Sequence, residues 1–288
     1  MEARLQLPGI VVSECEIGVP VRIPCDALDV WAYTRVAPDK STPNEDQAGM
    51  FGHGSGHWVL AVADGLGGMP SGDEASRRAM KALQKHVEDT ERDVPLRTVI
   101  MDAFEEANLQ VHAIGGGAGT TFAVVELADG RLRPYHVGDS AVLIVGQRGR
   151  VKLETIAHSP VGYGVAAGLI EPAAALHRED RHILSNHLGA SDMHIQVGSP
   201  IALSARDTVL LATDGVFDNL HIREIVDRIR KGPLEQAARS LAETCVSRMA
   251  VENGSTPTKP DDATFILMRR RAASTQADPP TAGDAEER

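Results

Sequence analysis

Trp58-Val59-Leu60-Ala61-Val62-Ala63-Asp64-Gly65-Leu66-Gly67-Gly68 is an apolar run closed by an aspartate and a glycine. The pattern recurs at Thr208-Val209-Leu210-Leu211-Ala212-Thr213-Asp214-Gly215-Val216-Phe217-Asp218, and a third aspartate, Asp139, follows Tyr135-His136-Val137-Gly138. A run of this length and type reads as a strand, and burying it leaves the closing carboxylate at the sheet rim, where an unpartnered charge is costly. Two carboxylates about 4 Å apart repel by roughly 4 kcal/mol at an effective dielectric of about 20, and a divalent cation reverses the sign. The glycines after Asp64 and Asp214 let the backbone turn tightly and bring a carbonyl oxygen near each carboxylate. Hard oxygen donors of this kind suit magnesium or manganese. Glu45-Asp46, and Asp261-Asp262 ahead of the strand-like Ala263-Thr-Phe-Ile-Leu-Met268, extend the set. A lone Asp-Gly is ordinarily a turn, but four strand-edge acids in one chain point to a metal site.

Outward from these runs the chain alternates strands and helices. Strand-like segments cover Leu28–Val36, Trp58–Ala63, Thr120–Leu127, Leu132–Val137, Ala141–Val145, Val151–Ile156, Met193–Val197, Thr208–Thr213 and Ala263–Met268. Most neighbours are too close in sequence for helical crossovers, which predicts antiparallel pairing. Ala75, Ala79, Leu83 and Val87 form one helical stripe, and Leu96, Val99, Ile100, Ala103, Phe104, Ala107 and Val111 a second. Ile222, Ile225, Val226 and Ile229, then Leu234, Ala237, Ala238, Leu241 and Cys245, give two more. Helices in pairs around strand runs predict an α+β fold with α/β/β/α layering. Residues 1–270 read as one domain without internal repeats. Residues 271–288, rich in Ala, Pro, Asp, Glu and Thr without apolar period, read as a disordered tail.

The ordered blocks Asn44-Glu45-Asp46, Asp64-Gly65-Leu66-Gly67-Gly68 with Gly72-Asp73-Glu74-Ala75-Ser76, Gly119-Thr120-Thr121, Val137-Gly138-Asp139-Ser140, His158-Ser159-Pro160, Thr213-Asp214-Gly215-Val216-Phe217-Asp218 and Asp261-Asp262-Ala263-Thr264 resemble the metal-dependent protein phosphatases of type 2C, the PPM family. The resemblance runs from about Asn44 to Met268. It implies a sandwich of two antiparallel sheets flanked by helices, with a binuclear centre in a cleft at one end. It also implies hydrolysis of phosphoserine and phosphothreonine by a metal-bridging water, without a covalent phosphoenzyme. Matched by position, Asp46, Asp64, Gly65 (through its carbonyl), Asp214 and Asp261 would hold two Mg2+ or Mn2+ ions. Glu45 would act through water, and Asp139 with Asp214 would bind a third, weaker ion. Asp46, Asp64, Asp214 and Asp261 are thus the expected catalytic set, and a metal-activated water removes the need for a protein nucleophile.

Two positions depart from the family pattern. Many members carry a phosphate-clamping arginine five residues before the aspartate matching Asp46, where this chain has Ser41. Lys40 or Arg35 would serve instead, Lys40 being the nearer in sequence, although a lysine offers a point charge rather than a bidentate fork, and the metals alone would be the other anchor. Leu66 stands where some members have a histidine proposed as general acid, so leaving-group protonation would fall to metal-bound water or another histidine.

With 288 residues, 42% of them hydrophobic, and no apolar stretch of spanning length, the chain reads as one compact enzyme domain without a membrane helix. Its first residues lack the pattern of a secretion signal, so a cytoplasmic location is expected. Cys15, Cys25 and Cys245 have no metal-type spacing and read as free or buried thiols. A net charge of -11 disfavours a nucleic-acid partner, and Arg269-Arg270-Arg271 reads as a solvated strand end. The expected partners are phosphorylated proteins, substrates of a serine/threonine kinase.

Other motifs have plainer readings. The Gly115–Thr121 segment lacks the P-loop lysine and leads into a β-branched run, so it reads as a mobile helix-to-strand linker. His53 and His57, among glycines, suggest a hairpin tip. His158, His177, His182 and His187 lie in the segment between Ala157 and Ile195 that matches the family's variable flap. The rival from another class is a phosphatase-fold adaptor that binds phosphoproteins or a kinase without turnover. The four intact acids speak against it, and Ser41 and Leu66 keep it in view. A phosphatase of small phosphate esters would share all the chemistry.

Overall fold

The computed structural model describes residues 9–12, 17–54, 56–66, 71–250 and 257–271. In chain order the elements are β1 (Gly9–Val12), β2 (Ile17–Ile23), β3 (Leu28–Arg35), β4 (Asp46–Gly52), β5 (Trp58–Asp64), α1 (Gly72–Asp89), α2 (Leu96–His112), β6 (Phe122–Ala128), β7 (Arg131–Val137), β8 (Ala141–Val145) and β9 (Val151–Glu154). They continue as α3 (Pro160–Ala166), α4 (Pro172–Ala175), a 3-10 turn (Glu179–His182), β10 (Gln196–Val197), β11 (Ile201–Ala202), β12 (Thr208–Ala212), α5 (Asp214–Phe217), α6 (Ile222–Ile229), α7 (Leu234–Met249) and β13 (Ala263–Arg270).

One sheet has the order β1-β4-β5-β6-β7-β10, with β11 also on β7, and the other runs β2-β3-β13-β12-β8-β9. Every pairing is antiparallel. Three apolar layers hold the stack. Leu60, Val62, Val209, Leu211, Ile266 and Met268 meet between the sheets. Val59, Ala61 and Ala63 face the other way, onto α1 and α2. Leu210, Ala212, Phe265 and Leu267 pack under α6 and α7. Each central strand is therefore covered on both faces, which explains why its sequence is a continuous apolar run although the sheets are antiparallel. The α/β/β/α sandwich is as the sequence predicts.

Several boundaries differ from the sequence reading. β4 was not expected: two glycines and a leading Asp-Gln hide its apolar period. It is buried throughout to Phe51, and a Cβ on Gly49 would stand 2.7 Å from Met80 Sδ, so α1 lies directly on its backbone. β2, which contains Pro20, was missed for a similar reason and sits at a sheet edge, where proline is tolerated. The Met193–Val197 strand shrinks to Gln196–Val197. Asp214 does not close β12 but opens the short α5. Of the expected tail, Arg271 is described, its N–H donating to Ala27 O at 3.0 Å, and residues 272–288, like Cys15, lie outside the described residues.

Candidate metal centre

The antiparallel register of β4 with β5 sets Asp46 opposite Asp64 at one end of the sandwich. Asp46 is 2% exposed; its Oδ2 accepts from Thr213 Oγ1 at 2.8 Å, and its Oδ1 has no protein partner. The end of β5 is pinned by the start of β6. Thr120 Oγ1 and Thr121 N–H both donate to the Asp64 carbonyl at 2.8 Å, and Asp64 N–H donates to Thr121 Oγ1 at 3.0 Å. Thr121 Oγ1 also shares a 2.6 Å hydrogen bond with Ser140 Oγ, which ties in the turn carrying Asp139.

Both Asp-Gly steps are sterically required. A Cβ on Gly65 would fall inside the Gly72 carbonyl, and one on Gly215 inside that of Asp262. Only glycine permits these approaches, which bring the Asp64 and Asp214 turns against the chain beside them.

On the far side of the cluster, Lys259 Nζ bonds Asp214 Oδ2 and lies 3.0 Å from both Asp218 Oδ2 and Asp261 Oδ2. Asp214 Oδ1 is buried without a partner. Asp262 does not join this group. Its Oδ1 accepts from Ala37 N at 2.8 Å, and its Oδ2 accepts from Glu45 N at 2.8 Å and Lys40 Nζ at 2.7 Å. Lys40 Nζ also bonds Glu45 Oε2 at 2.7 Å. Lys40, the expected phosphate contact, is thus held between two carboxylates, while Ser41 is exposed.

The electrostatics show how tightly the acids converge. Burial and then Asp46, Asp214, Asp261 and Asp139 push the Asp64 carboxyl far above the usual carboxylate range. Burial, then Asp262 and Asp261, do the same to Asp46. Asp139 is raised to about 8 by burial, then by Asp214 and Asp218. Asp261 is raised to about 6 by burial and Asp214. Lys259 is held above the ordinary lysine range, since the three carboxylates outweigh the burial that opposes its charge. A cluster that resists its own ionisation, with oxygen donors only and the Oδ1 atoms of Asp46 and Asp214 unpartnered, fits hard divalent cations. Among the described residues no three side chains close into a finished metal cage, and the ammonium of Lys259 stands between Asp214, Asp218 and Asp261.

Sequence reasoning missed several members. Asp218 follows Asp214 by four residues, a same-face spacing that a helical reading of the motif would have exposed. Thr121, Thr213 and Ser140 act through hydroxyls that no spacing rule flags. The glycine-rich stretch is no loose linker at its end: Gly119 O accepts from Leu66 N at 3.0 Å, and Thr120 pairs with Leu188 through bonds of 2.9 and 3.3 Å. His53 is buried near Val87 and Arg92, away from the acids. His158 is buried, stacked on His136 with ring centroids 4.4 Å apart and tilted against His194 at 5.2 Å. His187 and Leu66 both crowd Gly119, where a Cβ would stand 2.7 Å from His187 Nδ1 and 2.8 Å from Leu66 Cδ1. The His187 Nδ1–H donates to Leu188 O at 2.9 Å.

A family model described as Protein phosphatase 2C matches residues 37–252. The chain is 26% identical over 222 residues to the protein phosphatase PhpP of Streptococcus pneumoniae serotype 2 (strain D39), spanning 74% of this chain and 90% of that protein. It shares its fold with the PPM Ser-Thr phosphatase MsPP from Mycobacterium smegmatis, solved in complex with cacodylate, at a TM-score of 0.70 and 25% identity over 85% of this chain and 99% of that one. The catalytic domain of the serine threonine protein phosphatase PstP, in complex with two manganese ions, has the same fold at a TM-score of 0.69 and 22% identity, covering 85% of this chain and 99% of that one. No described helix is long and apolar enough to cross a membrane.

Proposed function

Because the chain belongs to the protein phosphatase 2C family, we propose that it is a metal-dependent protein serine/threonine phosphatase whose centre is the acidic cluster at the β4–β5 end of the sandwich. The observation that carries this is the convergence of Asp46, Asp64, Asp139, Asp214 and Asp261 on one another, with unpartnered carboxylate oxygens at its heart. Asp46, Asp64, the Gly65 carbonyl, Asp214 and Asp261 would hold two ions, Mg2+ or Mn2+, with Glu45 acting through water and Asp139 with Asp214 serving a weaker third. Bound there, the ions would supply positive charge for the phosphoryl oxygens and lower the pKa of a water.

The protein's own part is positional. Thr120, Thr121 and Ser140 fix the turns that carry Asp64 and Asp139, and Thr213 orients Asp46. Leu66 has no proton to give to the leaving alkoxide. His187, packed at Gly119 with its Nδ1 bonded to Leu188 O, is the candidate donor to that alkoxide through Nε2. Lys40 is already neutralised by Glu45 and Asp262, which favours the metals as phosphate anchor. The substrates would be phosphorylated proteins made by a serine/threonine kinase. A cytoplasmic location is part of the same reading, supported by Cys25 and Cys245, both free and buried.

Rates of phosphate release from phosphothreonine, phosphoserine and phosphotyrosine peptides and from small phosphate esters, all with Mn2+, test the substrate class. Turnover of the first two well above the others supports the proposal, and a preference for small esters overturns it.

A further inference from the structure

Lys259 is placed among the acids with more care than a surface lysine receives. Its backbone N–H donates to Asn219 Oδ1 at 2.8 Å, and its carbonyl accepts from Asn219 Nδ2 at 2.8 Å. Asn219 is fully buried, and its Nδ2 also donates to Gly215 O at 2.9 Å, so one side chain clamps Lys259 to the short helix that bears Asp214 and Asp218. Pro260 follows, restricting the chain just before Asp261. The ammonium is thereby delivered to three carboxylates from two separate segments, bonding Asp214 Oδ2 and lying 3.0 Å from Asp218 Oδ2 and 3.0 Å from Asp261 Oδ2.

We propose that Lys259 is a resident counter-cation of the centre, which competes with the divalent ion for Asp214, Asp218 and Asp261 and so sets the metal concentration at which the site loads. The inference rests on the metal-dependent reading above. Lysine offers three donors and no acceptor, so the ammonium cannot be a metal ligand while charged. An ion that takes Asp214 and Asp261 must break its contacts with them and bear its repulsion. The same ammonium offsets the mutual repulsion of the carboxylates when no divalent ion is near. Two effects of opposite sign follow from removing it. The metal-free protein loses stability, and the metal binds more tightly. A lysine that merely braces the fold would lower both.

The test is calorimetric titration of the full chain with Mn2+, together with thermal melts in EDTA, on wild type and on Lys259→Met, Lys259→Gln and Lys259→Arg. Lys259→Met and Lys259→Gln are expected to bind Mn2+ at least tenfold more tightly than wild type while melting earlier in EDTA. Lys259→Arg, which keeps the charge, should stay within about threefold of wild-type affinity. Glutamine still hydrogen-bonds to carboxylates, so it keeps the test open if the methionine variant does not fold. Equal or weaker Mn2+ binding in the neutral variants overturns the proposal, as does equal tightening in Lys259→Arg. Absence of Mn2+ binding by wild type overturns the metal-dependent reading itself, a result distinct from equal, measurable affinities in all four proteins.

Discussion

Replacing Asp139 with asparagine keeps the shape of the side chain but removes its ability to ionise, and the effect on the metal-free protein follows from the structure. Burial, reinforced by Asp214 and Asp218, lifts the Asp139 carboxyl from an ordinary 3.8 to about 8. A raised acid costs nothing below its unfolded value, and its penalty grows as pH rises, reaching its full size at the folded value. At pH 7 the penalty relative to the unfolded chain is up to about 4 kcal/mol, and at pH 5 up to about 2 kcal/mol. Asp139→Asn should therefore stabilise the protein in EDTA, by an amount that grows between pH 5 and pH 7. In Mn2+ the same variant should lose turnover while keeping the two tight ions, because the weaker ion at Asp139 would assist a step after the core site is assembled. Urea titrations in EDTA at both pH values give the stabilities. A variant that is less stable at pH 7, or whose effect is the same at both pH values, refutes the reasoning.

Asp64→Asn, Asp214→Asn and Asp261→Asn should each fold, lose most activity and bind Mn2+ at least tenfold more weakly, and wild-type affinity by calorimetry in all three would remove the ligand assignment. Lys40→Ala should leave KM for a phosphopeptide within about twofold and lower the melting temperature, because Lys40 joins Glu45 to Asp262; a tenfold rise in KM would restore it as a phosphate contact. His187→Gln should cut kcat on a phosphothreonine peptide at least about tenfold while sparing p-nitrophenyl phosphate, whose leaving group needs no proton; equal effects on both would exclude His187 as the acid. Burial depresses His136 from 6.5 to about 4, so its contribution is present above pH 6.5 and lost as pH falls through about 4. His136→Gln should shrink that acid-side loss by up to about 3 kcal/mol in pH-dependent unfolding, and an unchanged slope would contradict the assignment.

The central strands were legible because both faces are covered, so Trp58 to Ala63 and Thr208 to Ala212 carry no polar interruption except at their ends. The acids were legible for the same reason, since a carboxylate that closes such a run stands out against it. β4 was not, because Gly49 and Gly52 replace the side chains that would have marked its period. The partners of the acids were least visible. Lys259 meets Asp214 only through tertiary folding across 45 residues, Asn219 reaches Gly215 O just behind Asp214, and a hydroxyl such as Thr213 Oγ1 carries no spacing signature. Lys40 was legible as a nearby cation but not as one already paired, since Asp262 reaches it from 222 residues away.

The carboxylates at the β4–β5 end are proposed to form a metal-dependent phosphatase centre. Phosphate release from a phosphothreonine peptide, measured on one preparation in EDTA, then after Mn2+ is restored, and in parallel on Asp214→Asn, tests it most directly. Turnover that vanishes in EDTA, returns with Mn2+ and is nearly absent in Asp214→Asn is the predicted result, whereas a folded wild type that binds Mn2+ and the peptide yet releases no phosphate would contradict it.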